Sequence, residues 1–411
     1  MTDILTINKP TGWKLHRFGQ LFDERKEKVS DKDFPPLSVT MNGIVPQLDT
    51  AAKSDDSDNR KLVRRGDYAI NSRSDRKGSG GVSELDGSVS LITIVLKPRG
   101  ILPQFAHHLL RSSAFQEEFY RWGHGIVADL WTTRFADMKN IRLYLPDIPT
   151  QRSITDFLNR EIPRIDQLIE NKQRLATLLQ EQFIAFREDL LGNGVSMRLK
   201  FLAKFITSGS RDWGNLYADS GELFVRIGNL SGKGIDLDLS NKSFVQLGER
   251  SEGMRTKLKV DDLLVSITAN LGSVAIVGPE AQGGYINQHV ALVRLFDSKK
   301  ARFIAHSLQT KRCEDQFAIR GNGGTKQGLS LTDVKEVSIL LPSVDEQAQK
   351  TFLLDARWSK ISGIYDKLHE SMARLREHRG ALITAAVTGQ IDVATWGRKG
   401  QSDRCLEKLE G

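Results

Sequence analysis

Cysteine is nearly absent. Cys313 and Cys405 are the only two in 411 residues, too few for a disulfide framework and without metal-ligand spacing, so free thiols in a reducing compartment are expected. No run approaches the ~20 consecutive apolar residues of a membrane span, and residues 1–10 lack the apolar core of a signal peptide. A cytoplasmic location is the expectation. Charge of one sign is only mildly in excess: 59 Lys and Arg against 51 Asp and Glu give +8. The balance leans toward a polyanionic partner without requiring one.

Recognisable catalytic motifs are missing as well. The glycine-rich stretches at 78–81 and 321–328 do not have P-loop spacing, and no Asn-Pro-Pro-aromatic or Asp-Pro-Pro-Tyr segment of an amino-methyltransferase occurs. His107 and His108 have no third ligand at zinc spacing, and a pair packed on a helix is the plainer reading. Asp236 and Asp238 read as a polar strand face rather than a cation site. The sequence therefore predicts no catalytic residue, no metal site and no cofactor held by this chain.

What is present is a repeat. Read at a spacing of seven, residues 345–387 place Leu354, Ile361, Leu368, Leu375 and Leu382 on one stripe, with Ile364, Tyr365, Met372 and Ala385 widening it. Such a stripe marks a long amphipathic helix that needs a partner helix. Subtracting 196 from those five numbers gives Leu158, Ile165, Lys172, Leu179 and Phe186, apolar at four positions. Lys172 is the departure, a charge whose aliphatic stem can lie along apolar surface or face another subunit. Pro163 lies within this first helical stretch, where it either kinks one helix or separates two abutting ones.

The offset recurs outside the helices. The strand ending in Leu341 and Pro342 matches the one ending in Leu145 and Pro146, and Gln347 matches Gln151. Short β-branched strands at 90–96 and 289–295 are each followed by a helix, at 104–121 and 301–316, and then by a glycine loop. Residues 53–61 read as a polar, mobile loop. The expected fold is α+β: two pseudo-repeated mixed domains separated by two long antiparallel helices forming a coiled-coil-like bar. Its segments are 1–149 (first mixed domain), 150–194 (first long helix), 195–344 (second mixed domain), 345–388 (second long helix) and 389–411 (a frayed tail).

The order of mixed domain, Leu-Pro strand end, Gln-initiated helix, second mixed domain, Leu341-Pro342, second Gln-initiated helix and the Ala385 to Ile391 ending resembles the specificity subunit of type I restriction-modification systems. The resemblance spans residues 13–393. It implies a non-catalytic subunit with two DNA target recognition domains held apart by paired helices. It also implies two docked adenine-N6 methyltransferase subunits and motor-nuclease restriction subunits, with S-adenosylmethionine, ATP and Mg on those partners. Because the two domains differ in their loops, a bipartite, asymmetric site on double-stranded DNA is expected.

Candidate DNA-contacting residues lie in polar, basic or aromatic loops. In the first domain they are Arg73, Arg76 and Lys77 around the glycines at 78–81, where a bare backbone can approach phosphate, and His124, Thr132 and Arg134, with Trp122 and Trp131 as core or stacking residues. In the second they are Ser208, Ser210, Arg211, Arg226, Asn229, Asn270, Asn287, Gln288, Arg320, Asn322, Lys326 and Gln327. Arg pairs with guanine edges and Asn or Gln with adenine. Two other functions fit the same sequence: a coiled-coil scaffold that does not bind DNA, and a stand-alone DNA-modifying enzyme.

Overall fold

A computed structural model of the chain describes residues 5, 9–48, 58–73, 76–125, 131–209, 213–230, 234–247, 253–321 and 328–396. It divides into two compact units that cut across the sequential segments: unit 1 holds residues 1–172 and 369–411, unit 2 residues 173–368. Each contains one mixed domain and a stretch of both long helices.

In unit 1 a four-stranded antiparallel sheet runs Phe22–Glu24, Thr93–Pro98, Tyr68–Asn71, Gly80–Val82 in spatial order. The strand Thr93–Pro98 is apolar without alternation because both its faces are covered. Ile94 and Leu96 enter the large core with Phe105, Phe115 and Phe119, whereas Val95 enters a smaller one with Leu37, Val63 and Val89. The helix expected at 104–121 is two helices, Pro103–Arg111 and Ser113–Arg121. Ser112 makes the break: its hydroxyl donates to the Leu109 carbonyl at 2.7 Å and accepts from the Phe115 amide at 3.3 Å, ending one helix and capping the next. Of the loop expected at 53–61, residues 53–57 lie outside the described residues. Arg60 and Lys61 instead belong to the strand Arg60–Val63, where the buried Arg60 guanidinium donates to the Ser88 hydroxyl and carbonyl.

Strand Lys14–Arg17 pairs with Arg142–Leu145, which delivers the chain to the first long helix, Ile148–Leu191. That helix is continuous. Pro163 sits on its exposed face, where the carbonyl deprived of its partner can turn to water. Within unit 1, Ile154, Phe157, Leu158, Ile162 and Ile165 share a core with Leu375, Leu382, Ile383, Ala386 and Val387 of the second long helix, Val344–Val387. Arg379 clasps Asp166 across the pair, Nε to Oδ1 at 2.7 Å. The described part of the C-terminal segment is not frayed: Ile391, Val393 and Trp396 pack on this core, and Trp396 meets Phe157 edge to face. Three apolar side chains in six residues give it something to bury.

Unit 2 repeats the sheet with strands Ala203–Ser208, Val290–Leu295, Leu263–Ser266 and Val274–Ile276 in the same order. Its faces divide as before, Leu263 and Val265 toward one core and Leu264 toward another. A further four-stranded sheet holds Tyr217–Ala218, Phe244–Val245, Glu222–Val225 and Tyr285–Ile286, where unit 1 has a three-stranded sheet of Lys28–Val29, Arg60–Val63 and Gly87–Val89. The helix expected at 301–316 is again two, Ala301–Leu308 and Lys311–Gly321, and Glu188 accepts the Lys311 amide at 2.7 Å to cap the second. Cys313 is buried, and burial pushes its thiol up to about 11.

Also within unit 2, the two long helices bury Phe183, Leu191, Leu354 and Ile361 together. Tyr365 donates to Gln180 at 3.2 Å, so here too numbers rise on one helix as they fall on the other. The buried stripe of the second long helix keeps the seven-residue spacing, with Leu354, Ile361, Leu368, Leu375 and Leu382 all buried. On the first it changes row: Leu158 and Ile165 are buried in unit 1, but in unit 2 Leu179 and Phe186 are half-buried and Ala176 and Phe183 are fully buried. A straight helix drifts about 20° per heptad against a strict seven-residue repeat, and moving four residues along resets the face.

The duplication is written in individual hydrogen bonds. Gln151 Nε2 donates to the Pro146 carbonyl at 2.9 Å and Gln347 Nε2 to Pro342 at 2.8 Å. Thr155 and Thr351 then donate to the carbonyls of those two glutamines.

Candidate nucleic-acid interface

Two loops come together at one edge of the unit 1 sheet. The loop leaving strand Tyr68–Asn71 is tied to the segment before the short helix Phe135–Met138 by the bridge of Arg73 with Thr132 and by the Thr133 amide donating to the Ser72 carbonyl at 3.0 Å. His124 and Thr132 exchange backbone hydrogen bonds at 3.1 and 3.0 Å, closing the second loop on itself. Arg73, His124, Thr132 and Arg134 are thereby gathered into one region, with Thr132 half-buried and the other three exposed. Trp131 is 40% exposed beside them, whereas Trp122 packs on the core and donates to Glu118 at 3.1 Å. Lys77 lies over the Tyr120 ring at 5.4 Å, and Arg76 and Lys77 are exposed. The neighbouring glycines are bare for a different reason from the one expected. A Cβ on Gly81 would stand 2.9 Å from the Gly43 Cα and one on Gly80 3.0 Å from the Ala69 carbonyl. Their lost side chains admit neighbouring strands, so no phosphate is needed to explain them.

Unit 2 builds the same platform. The Leu329 amide donates to the Ile267 carbonyl at 2.8 Å, and Thr268 bridges Gly328. Ser330 and Asp333 cap the helix Leu331–Glu336 in a reciprocal pair. Beside the bridge, Thr268 Oγ1 lies 3.0 Å from His289 Nδ1 and Gln288 Nε2 lies 3.1 Å from His289 Nε2. Asn270 is exposed on the adjacent turn; Ser208, half-buried, lies in the strand paired with Ala291; Arg320 is exposed in the last turn of Lys311–Gly321. Ser210, Arg211, Asn322, Lys326 and Gln327 lie outside the described residues.

Arg226, Asn229 and Asn287 meet in a cleft of about 340 Å³ that Asp238, Ser240 and Asn241 also line. Asn229 does not present a base-reading edge there. It is 5% exposed, its Oδ1 accepts the Arg226 amide at 2.9 Å, and its Nδ2 donates to the carbonyls of Asp238 and Asn241. It shapes the cleft. Asn287 is 8% exposed and its Oδ1 accepts the His289 amide at 3.2 Å. Arg226 and the Asp238 carboxylate leave the cleft with both donors and acceptors, the combination base edges require. Thr268, His289 and Ser240 were not singled out from sequence. Thr268 and His289 are ordinary polar residues until strand pairing sets them side by side, and Ser240 is one until the cleft forms around it.

A polar joint fastens each mixed domain to a long helix. In unit 2, Asp355 takes Arg302 Nε at 2.7 Å and Nη2 at 2.9 Å, and His306 Nε2 at 3.0 Å. Burial alone would raise this carboxyl; the bonds from His306 and Arg302 overcome it and hold the pKa at about 2. In unit 1 the residue 196 positions earlier is Asn159, whose Oδ1 lies 3.2 Å from His108 Nε2.

Residues 214–357 match the family model of the type I restriction modification DNA specificity domain. A curated relative, the type I restriction enzyme StySPI specificity subunit of Salmonella potsdam, is 23% identical over 322 residues, covering 72% of this chain and 67% of its own length. A solved chain from work on complex assembly and conformational transition of the type I R-M system superposes with a TM-score of 0.68 at 16% identity, covering 93% of this chain and all of that one. The HsdS subunit of Thermoanaerobacter tengcongensis matches at 17% identity and a TM-score of 0.45, covering 94% and 99%. The class is thus a duplicated α+β protein with two long helices. Residues 214–357 are thus similar to the DNA specificity domain of type I restriction-modification systems. Among the described residues no helix is long and apolar enough to cross a membrane.

Proposed function

We propose that this chain is the non-catalytic, cytoplasmic DNA-recognition subunit of a type I restriction-modification enzyme, each mixed domain reading one half of a bipartite, asymmetric duplex site. The observation that carries this reading is the repeated platform: the same backbone bridge holds Arg73, His124 and Arg134 in unit 1 and Thr268, Gln288 and Asn270 in unit 2. One scaffold presenting different side chains suits two different half-sites. Phosphate contacts would set register and base-edge contacts would specify. Methyltransferase subunits would dock on the chain together with restriction subunits and carry S-adenosylmethionine, ATP and Mg. In support, unit 2 leaves apolar side chains of both long helices in solvent, Phe352 at 71%, Leu178 at 51% and Ile364 at 43% exposed.

Binding to a duplex carrying the site is measured against salt. Affinity is expected to fall steeply, and Arg73→Ala or Arg134→Ala to reduce the log–log slope by about 1 each if they touch phosphate. A coiled-coil scaffold without DNA recognition would show no such dependence. Methyl transfer by the purified chain alone, without added subunits, would instead favour a stand-alone enzyme.

A further inference from the structure

Unit 1 contains a cationic cavity of about 290 Å³ apart from the loop platform, lined by Arg111, Arg379, His107, Gln116, Gly78 and Ile162 among others. It lies between the helices Pro103–Arg111 and Ser113–Arg121 and the stretches of the long helices that belong to this unit. Two guanidiniums line it, and no carboxylate does. Asp166 is already clasped by Arg379; it acts on Arg111 only through space, and among the described residues the hydrogen bonds of Arg111 go to neutral groups. Arg111 donates instead to the Met41 carbonyl and, from Nη1, to His107 Nε2 at 3.0 Å. A half-buried guanidinium held only by neutral groups is an incomplete arrangement, because taking a cation out of water requires a counter-charge.

The His107 ring is incompletely satisfied in a second, independent way. Its Nδ1 receives the Val82 amide at 3.3 Å while its Nε2 receives Arg111. Both neighbours can only donate, and a neutral imidazole must carry one N–H. One ring nitrogen therefore turns a hydrogen toward another donor. Protonating the ring adds a second such conflict, and burial followed by the charge of Arg111 holds the pKa down at about 3. An anion placed between the guanidiniums resolves both defects. It accepts from Arg111, and it lets Nε2 of His107 carry the proton and donate it inward while Nδ1 continues to accept from Val82.

We propose that this cavity binds a phosphate group. Two guanidiniums and an imidazole, borne on the helices Pro103–Arg111 and Val344–Val387, line the same cavity and offer the charge-assisted donors that a phosphate oxyanion takes. The source is either free phosphate or a phosphate of the DNA backbone. Its guanidiniums and imidazole are distinct from the residues assigned above to base reading, although Gly78 of one of those loops lines the cavity.

The test uses the full chain and inorganic phosphate, titrated calorimetrically against chloride at matched ionic strength. Saturable binding to one site per chain is expected, weakened at least about tenfold in Arg111→Gln and in Arg379→Gln, the loss anticipated for a charged hydrogen bond. If Arg111→Gln does not fold, Arg379→Gln carries the test, since that side chain is one-third exposed on a helix surface. The ring N–H of His107 is followed by NMR and should shift with phosphate at the same midpoint. A short duplex then separates the sources: displacement of bound phosphate by the duplex assigns the site to backbone phosphate, and retention assigns it to free phosphate. Binding no different from chloride, or undiminished in both variants, overturns the proposal.

Discussion

The two joints between mixed domain and long helix show what a duplicated fold holds constant and what it lets vary. Position 159 in unit 1 and position 355 in unit 2 occupy the same place on equivalent helices, and each meets a histidine of the domain's first helix, His108 or His306. In unit 1 the joint is a neutral amide contact. In unit 2 it is a carboxylate held by three charge-assisted bonds or near-bonds from Arg302 and His306. A polar contact with a histidine is kept at this place while its charge is not. On the proposed reading, that freedom would let the two domains diverge in sequence to read different half-sites.

The largest test of this comparison is removal of each joint. Asp355→Ala should cost about 2 kcal/mol, below the range for fully buried pairs because Arg302 and Asp355 are partly exposed. Asn159→Ala should cost about 1 kcal/mol or less. Urea unfolding of the full chain measures both, and equal losses would erase the distinction.

A second, smaller contrast lies in the paired glutamines. Gln151 bridges two backbone groups, accepting from the Leu102 amide at 2.9 Å as well as donating to Pro146. Gln347 donates to Pro342, but its buried Oε1 has no partner among the described residues. Gln151→Leu leaves the half-buried Leu102 amide unpaired and should cost about 2 kcal/mol, and Gln347→Leu less than about 1 kcal/mol. The order of the two unfolding midpoints decides it.

Smallest near neutrality, and distinct in pH, are the titrations. The folded Asp355 pKa is depressed to about 2, so its contribution is present above the unfolded value of about 3.9 and is lost as pH falls toward 2. Asn159 contributes nothing there. In unit 1, His107 remains neutral down to about 3 while the unfolded chain takes up a proton near about 6.5, so stability declines as pH drops through that interval. His107→Gln should flatten the slope between pH 6.5 and 3, and Asp355→Asn should remove only the most acidic part. Denaturation midpoints across pH provide the check.

Much of the frame was legible in the sequence because its signals are periodic or local. The seven-residue stripe, the Leu-Pro strand ends and Gln151 with Gln347 all repeat at one offset. The breaks at Ser112 and near Thr310 were not legible, since apolar residues continue at helical spacing across both and only a side-chain cap or turn interrupts the backbone. The C-terminal Ile391, Val393 and Trp396 looked unpartnered because their core is assembled from residues over two hundred positions earlier. The loops were harder still. A list of polar residues did not show that Asn229 spends its amide on the backbone, or that Gly80 and Gly81 are bare to admit other strands. Arg111, His107 and Arg379 carry no sequence signal at all, as their conflict of charge and proton exists only once the helices pack.

The central claim is that each mixed domain reads one half of a bipartite site. The most direct measurement is genome-wide mapping of methylated adenines in cells with this chain, without it, and with residues 196–337 exchanged for the corresponding domain of another specificity subunit. The account predicts a two-part asymmetric motif that appears only with the chain, and in the exchanged protein a motif altered in one half alone. Methylation independent of the chain, or an exchange that rewrites both halves, would contradict it.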